Sequence, residues 1–234
     1  MTEIKICGLT SIADARFVAE SGADALGFIF YPRSPRYVAP EVVRAIVRVL
    51  PPEVAKTGVF VNEGIQTVKS VMEYCELDFV QLHGNESPGY CRCFPESVII
   101  KALFPRMDED LNSLAEYRAR AILVDAYDPQ RPGGTGKTSK WELAVKIRQS
   151  RPLILSGGLN PDNIETAMEK VLPDAVDINS GVEETPGKKD YGRVMEIIDL
   201  IRRNDGAYDK EKIKIFDTTM GYNHRGNDYI DNII

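Results

Sequence analysis

Cys7 lies in the segment EIKICGLT, residues 3–10, where a short apolar stretch runs into Gly8 and then a polar turn. An isolated cysteine usually packs as a small hydrophobic side chain. The alternative is a catalytic or redox thiol, because a thiolate is both a base and a nucleophile. The rest of the chain has to decide between these two roles.

Two glycine-containing segments could bind a phosphate group. LSGGLNPDNI contains Gly157 and Gly158, and NSGVEETPGKKD contains Ser180 and Gly181. Glycine lets backbone N–H groups approach an anion closely, and a helix that begins after such a turn adds its own free N–H groups. Either segment alone could be a plain tight turn. Two of them after consecutive late strands favour a phosphate site.

Two further loops carry candidate binding groups. YPRSPRYV places Arg33 and Arg36 beside two prolines, and a guanidinium group can bind a carboxylate through two hydrogen bonds, although a basic loop can also simply be solvated. RPGGTGKTSKW contains GKT, but Arg131 stands where the ATP-binding Walker A motif requires glycine, so ATP binding is not predicted. Its composition instead favours a mobile loop over residues 127–138 that could cover a site at Asp125.

The composition excludes several classes of protein. The 234 residues are 43% hydrophobic, as in one large globular domain, and the net charge of -6 argues against a general nucleic-acid surface. No apolar run approaches the roughly 18 residues of a membrane span, and the start of the chain is unlike a signal peptide, so a cytoplasmic location is predicted. Four cysteines without a C-x-x-C pair and two histidines predict neither a metal site nor a disulfide framework.

Eight short β-rich runs alternate with helical segments along the chain. The runs occupy residues 3–8, 24–30, 55–61, 78–84, 97–104, 121–126, 152–157 and 175–181. Helices are predicted at residues 11–22, 40–50, 64–75, 160–171 and 190–203, with Asn160 as an N-cap and Pro161 at the first helical position. This alternation predicts a closed (β/α)8 TIM barrel, with an open doubly wound sheet as the alternative.

Side-chain alternation within the strands supports the barrel. Four of the runs have one apolar face and a partly polar opposite face, which carries Lys5 and Cys7, Gln81 and His83, Leu123 and Asp125, or Asp177 and Asn179. In a barrel the polar face would point inward, and the carboxyl ends of the strands would carry the chemistry. Cys7, His83, Asp125 and Asp177 are therefore expected at one rim.

The barrel is predicted to span residues 1–203 as a single domain. The remaining residues 204–234 form a polar extension with one β-like run, KIKIF, to which no role is assigned. This extension could be disordered, add a strand or dock on another subunit.

Several motifs together carry a resemblance to a known family. KICGLT, GADALGFIFYPRSPRYV, GVFVNE, VQLHGNE, GGTGKT, LSGGLNPDNI and DINSGVEETPGKKD occur in this order. Together they resemble the phosphoribosylanthranilate isomerases of tryptophan biosynthesis. The resemblance implies a barrel without metal or organic cofactor. It also implies conversion of N-(5-phospho-β-D-ribosyl)anthranilate to 1-(2-carboxyphenylamino)-1-deoxy-D-ribulose 5-phosphate.

The resemblance also implies roles for individual residues. Cys7 would be the general base, Asp125 the general acid and Arg36 the ligand of the anthranilate carboxylate. The remaining site residues would bind phosphate (Gly157, Gly158, Ser180 and Gly181) or line the substrate site (Gln81, His83 and Asp177). The expected partner is a phosphorylated small molecule, with no nucleic acid and no membrane, for a chain that is a monomer or homodimer.

The chemistry of this rearrangement needs an acid and a base of these types. Ring opening requires a proton on the ribose oxygen, and the resulting iminium makes the C2 proton acidic enough for a thiolate to remove. Two alternatives remain. A histidine-pathway isomerase of similar chemistry is expected to have an aspartate where this chain has Cys7. A barrel that only binds a phosphorylated ligand would not need both members of the acid–base pair.

Overall fold

The computed structural model describes residues 1–125, 139–205 and 212–220. Eight parallel strands form a closed barrel in which each strand pairs with its sequence neighbours and the first pairs with the last. They are β1 (Glu3–Ile6), β2 (Ala25–Ile29), β3 (Ala55–Phe60), β4 (Phe79–Leu82), β5 (Ile99–Leu103), β6 (Ala121–Asp125), β7 (Leu153–Ser156) and β8 (Ala175–Ile178). The predicted TIM barrel is confirmed, because an open sheet would leave two edge strands unpaired.

Helices cover the outside of the barrel. They are α1 (Ile12–Glu20), α2 (Pro40–Val47), α3 (Ile65–Cys75), α4 (Pro88–Cys91), α5 (Ser139–Arg148), α6 (Ile164–Val171) and α7 (Tyr191–Asp205). The segment after β4 supplies only the single turn of α4. The connection from β5 to β6 contains the 3-10 turns Asp108–Leu111 and Leu114–Glu116 in place of an α-helix. The outer layer therefore contains the least α-helix in the connections that follow β4 and β5.

The predicted start of the sixth helix is wrong. Asn160 was expected as its N-cap, but the helix begins at Ile164 with Asn163 in the capping position. The Asn160 side chain instead accepts a hydrogen bond from the backbone N–H of Asp162, at 2.9 Å. An Asn side chain that bonds two residues ahead stabilises a turn in competition with the helix. Because of this turn, α6 begins later in the chain than predicted, and the loop after β7 is longer.

Two sets of strand residues build two layers of the core. The apolar face of each strand packs outward under the helices, as with Ile4 and Ile6 of β1. The inward face forms a second, smaller cluster near the amino ends of the strands, which includes Phe79 and Leu123. In the part of the chain that the structure describes, no helix combines the length and the apolar character needed to cross a membrane.

Candidate active site

A cavity of about 500 Å³ lies at the carboxyl ends of the strands. Nine of the ten site residues predicted from the sequence line it: Cys7, Arg36, Gln81, His83, Asp125, Gly157, Gly158, Asp177 and Ser180. They come from β1, β4, β6, β7 and β8 and from the loops that follow these strands and β2. Closure of the barrel therefore brings together side chains up to 173 residues apart, from Cys7 to Ser180.

Cys7 is 3% exposed and stands directly after β1. Its strand neighbour on the same face, Lys5, is completely buried and places its Nζ 2.7 Å from Oδ1 of Asp177. Burial raises the pKa of the Cys7 thiol, and the charge of Lys5 acts against this rise. The thiol therefore keeps its proton in this environment, with a cation beside it that would stabilise the thiolate once it forms.

Lys5 stays charged although it is inside the barrel. Burial by itself would lower its pKa, but the charge of Asp177 acts against burial, and the pKa of Lys5 is raised. Asp177 is in turn held against β7, because the hydroxyl of Ser156 donates to its backbone oxygen at 3.2 Å. Sequence reasoning placed Lys5 on the inner face without assigning it a role.

Gly27 of β2 is a second residue that sequence reasoning missed. A Cβ atom at this position would lie 2.6 Å from the sulfur of Cys7 and 3.0 Å from Nζ of Lys5. Any larger residue would therefore displace the thiol or the lysine. Glycine inside a strand is typical of a close approach of this kind. Gly27 in the segment DALGFIF is therefore the feature of the sequence that indicates it.

Asp125 and His83 face each other across the cavity. Asp125 ends β6, and its Oδ2 lies 3.9 Å from Nε2 of His83. The side-chain amide of Gln81 lies 3.0 Å from Nδ1 of His83. Burial lowers the pKa of His83, although Asp125 acts in the opposite direction. The lowered pKa therefore favours the neutral imidazole at pH 7.

Arg36 extends into the cavity from the loop after β2. It forms a two-point ion pair with Glu183, in which Nε donates to Oε1 at 3.0 Å and Nη2 donates to Oε2 at 2.6 Å. Nζ of Lys189 also contacts Glu183, at 3.0 Å. Burial acts to raise the pKa of Glu183, but Arg36 and Lys189 outweigh it and hold the pKa below its ordinary value. Glu183 therefore fixes the guanidinium, and among the described residues none accepts a hydrogen bond from its Nη1.

Glu183 and Lys189 were not predicted as site residues. They belong to a small antiparallel hairpin of β9 (Glu183–Thr185) and β10 (Lys188–Lys189), within a segment that was expected to be a loop. The turn of the hairpin contains Gly187 with a φ of 86°. Nothing in the spacing of these residues links them to Arg36, which is 147 positions away from Glu183.

The glycines after β7 and β8 have different surroundings. Gly157 and Gly158 have φ angles of 96° and 64°, and a Cβ atom on Gly158 would meet nothing within 4 Å. At Gly181 a Cβ atom would lie 1.9 Å from the carbonyl oxygen of Leu159. Gly181 therefore lets the two loops pack against each other. It does not line the cavity, and its contact with phosphate stays a prediction.

Two further predictions from the sequence concern a metal site and a loop that covers Asp125. Among residues 1–125, 139–205 and 212–220, no group of three or more His, Cys, Asp or Glu side chains is placed to hold a metal ion. The loop at 127–138, which was expected to cover Asp125, lies outside the described residues.

Comparison with known proteins identifies the family. The model of the N-(5'phosphoribosyl)anthranilate (PRA) isomerase family matches residues 4–200. The chain belongs to this family. The resemblance that the sequence motifs carried is thereby confirmed.

Individual members of the PRA isomerase family are similar over nearly their whole length. The N-(5'-phosphoribosyl)anthranilate isomerase of Syntrophus aciditrophicus (strain SB) is 54% identical over 212 residues, which are 91% of this chain and 92% of the relative. The crystal structure of the phosphoribosyl anthranilate isomerase of Thermotoga maritima matches with a TM-score of 0.80 and 45% identity, over 87% of this chain and 100% of that one.

A further solved structure is relevant to the cavity. It is a phosphoribosyl anthranilate isomerase in complex with reduced 1-(o-carboxyphenylamino)-1-deoxyribulose 5-phosphate. It matches with a TM-score of 0.78 and 43% identity, over 87% of this chain and 100% of that chain. The ligand of that protein carries a carboxylate and a phosphate at opposite ends.

Proposed function

We propose that this chain catalyses the Amadori rearrangement of N-(5-phospho-β-D-ribosyl)anthranilate to 1-(2-carboxyphenylamino)-1-deoxy-D-ribulose 5-phosphate in tryptophan biosynthesis. The observation that carries the proposal is the single cavity that joins Asp125, Cys7, Arg36 and the glycines after β7. These groups match an acid, a base, a carboxylate ligand and a phosphate loop. Membership of the PRA isomerase family supplies the reaction.

Asp125 is proposed as the general acid of ring opening. Its carboxyl proton passes to the ribose ring oxygen as the C1–O bond breaks, and the lone pair of the anthranilate nitrogen forms the iminium. His83 lies beside this carboxylate, with its Nε2 3.9 Å from Oδ2 of Asp125. A neutral imidazole at this distance would not repel a proton on Asp125 as an imidazolium would.

Cys7 is proposed as the general base. Its thiolate removes the proton from C2 and the electron pair forms the C1–C2 double bond, which neutralises the iminium to an enolamine. Protonation at C1 and loss of the proton on the C2 hydroxyl then give the ketone. The ammonium group of Lys5 supports this step, since it lowers the energy of a thiolate that burial would otherwise disfavour.

The two ends of the substrate have separate binding groups in the cavity. The anthranilate carboxylate would bind Nη1 of Arg36, which Glu183 holds by Nε and Nη2. The phosphate would bind the backbone N–H groups of Gly157, Gly158 and Ser180, where left-handed glycine conformations turn the chain around the cavity. This division keeps the ribose between Cys7 and Asp125.

The partner, the location and the oligomeric state of the chain are proposed together with the reaction. The net charge of -6 argues against a general nucleic-acid surface, and the proposed partner is a phosphorylated small molecule bound by the loops after β7 and β8. A cytoplasmic location and a monomer or homodimer are proposed with it.

A turnover assay with the purified chain tests the proposed function. N-(5-phosphoribosyl)anthranilate should give the rearranged product, and the histidine-pathway substrate, whose base lacks the anthranilate carboxylate, should give at least tenfold lower kcat/KM. Turnover of the second substrate alone would assign the chain to the other Amadori reaction. Binding of a phosphorylated product analogue without any turnover would support the ligand-binding barrel.

A further inference from the structure

The amino-terminal mouth of the barrel, opposite the active-site cavity, has a lining of small side chains. β2, β3, β6 and β8 each begin with an inward-facing alanine: Ala25, Ala55, Ala121 and Ala175. Barrel interiors are usually filled by bulky branched residues. Four alanines at the starts of strands leave a space that these side chains do not fill.

This space is filled by two residues from the far end of the chain. Ile215 and Phe216 are 0% and 4% exposed and belong to the same apolar cluster as the four alanines. The ring of Phe216 meets the ring of Phe79 edge to face, with centroids 5.9 Å apart. Phe79 is the first residue of β4 and belongs to the same cluster as the alanines, so this contact lies at the amino-terminal mouth.

The backbone of the same segment is bound by charged side chains of the barrel. The carboxylate of Glu3 accepts hydrogen bonds from the backbone N–H groups of Ile215 and Phe216. Arg120 donates to the carbonyl oxygens of Lys214, at 2.8 Å, and Ile215. Because Glu3 begins β1 and Arg120 directly precedes β6, opposite sides of the mouth hold one short segment.

The segment enters the mouth beside the helix that precedes it. Lys212 places its Nζ 3.4 Å from Oδ1 of Asp205, the last residue of α7. The same carboxylate accepts hydrogen bonds from the backbone and side chain of Thr2. The residues on either side of positions 206–211 are thus in contact, which is the arrangement expected when the segment binds its own barrel.

We propose that the amino-terminal mouth is a docking surface for residues 212–220 of the same chain, with Phe216 as the side chain that fills it. The segment stabilises the barrel and covers an apolar, alanine-lined opening that would otherwise be available to a second copy. This role is independent of the proposed reaction, because the segment and the active-site cavity are at opposite ends of the strands.

Phe216→Ala in the full chain tests the proposal, with Ile213→Ala as the matched control. Ile213 lies on the same segment but is 50% exposed. Phe216→Ala should lower Tm by about 5–10 °C, since loss of a buried aromatic ring leaves a cavity. Ile213→Ala should stay within about 2 °C of the parent. Equal Tm values for the two variants would overturn the proposal.

A second set of measurements covers the case in which Phe216→Ala does not fold. Phe216→Leu keeps most of the apolar volume and should give a smaller decrease in Tm. The double variant Phe216→Leu/Phe79→Ala should lose less free energy of unfolding than the sum of the two single variants, because the two side chains are in contact. Strict additivity of the two would show that the rings do not interact and would overturn the assignment of Phe216.

The dependence of Tm on protein concentration distinguishes docking in the same chain from exchange between two chains. Docking within one chain makes Tm independent of concentration, whereas a segment supplied by a second copy makes Tm rise with it. If the Tm of the parent rises with protein concentration and the Tm of Phe216→Ala does not, docking in the same chain is wrong. For Phe216→Leu, kcat/KM well below Tm should remain within twofold of the parent value.

Discussion

The two ends of the barrel differ in the side chains that point inward from its strands. At the carboxyl end these positions hold buried polar groups, with Lys5 and Asp177 paired at 2.7 Å beside Cys7. At the amino end they hold alanines, and Phe216 fills the remaining space. Burial of ions has a desolvation cost that pairing only partly repays, whereas burial of apolar surface stabilises the fold. The comparison shows a barrel with buried polar groups at one end and an apolar closure at the other.

The largest effect should come from Asp125→Asn at the polar end. Asparagine keeps the shape and can hydrogen-bond, but it cannot deliver a proton, so kcat should fall roughly 100- to 10,000-fold. Calorimetry with a non-reactive product analogue should give a nearly unchanged Kd. If Kd rises by the same factor by which kcat falls, Asp125 is a binding residue and the acid assignment is wrong.

Cys7→Ser should cause a loss of similar or smaller size, because a serine hydroxyl is a much weaker base than a thiolate. Burial raises the pKa of Cys7, so at neutral pH the thiolate is the minor form. The kcat/KM of the parent should therefore increase as pH rises through the neutral range, and the variant should lose this increase. Cys93→Ser, at an exposed cysteine, is the matched control and should behave like the parent.

Arg36→Met should raise KM by roughly 10- to 100-fold, the equivalent of about 1.5–3 kcal/mol for a lost charge-assisted pair. Glu183→Gln should raise KM less, because it only loosens the guanidinium that Glu183 holds. Inhibition by inorganic phosphate should be unaffected in both. If Arg36→Met has the same KM and kcat as the parent, Arg36 does not bind the substrate.

The smallest effect comes from one glycine substitution at each end. Gly158 and Gly22 both have a positive φ, of 64° and 96°, and a Cβ atom on either would meet nothing within 4 Å. Alanine at each should cost roughly 1–2 kcal/mol of stability through backbone strain alone. Only Gly158→Ala should also weaken phosphate inhibition, by a few-fold. Equal inhibition constants in the two variants would place the phosphate elsewhere.

Local patterns in the sequence were sufficient to predict the barrel and the rim. Strand side chains alternate with a period of two, so the inner positions of Cys7, His83, Asp125 and Asp177 follow from the chain itself. Local patterns also misled in one place, because Asn160 can cap either a helix or a turn and the choice depends on the loop around it.

Only the tertiary structure decided which distant groups meet. Glu183 binds Arg36 across 147 positions, and Glu3 binds Phe216 across 213. No periodicity encodes such pairs, because each depends on where barrel closure places two ends of the chain. The sequence by itself determined which side chains point into the barrel. The fold decided that Lys5 lies beside the thiol at one end and that Phe216 fills the opening at the other, since burial and contact are properties of the packed molecule.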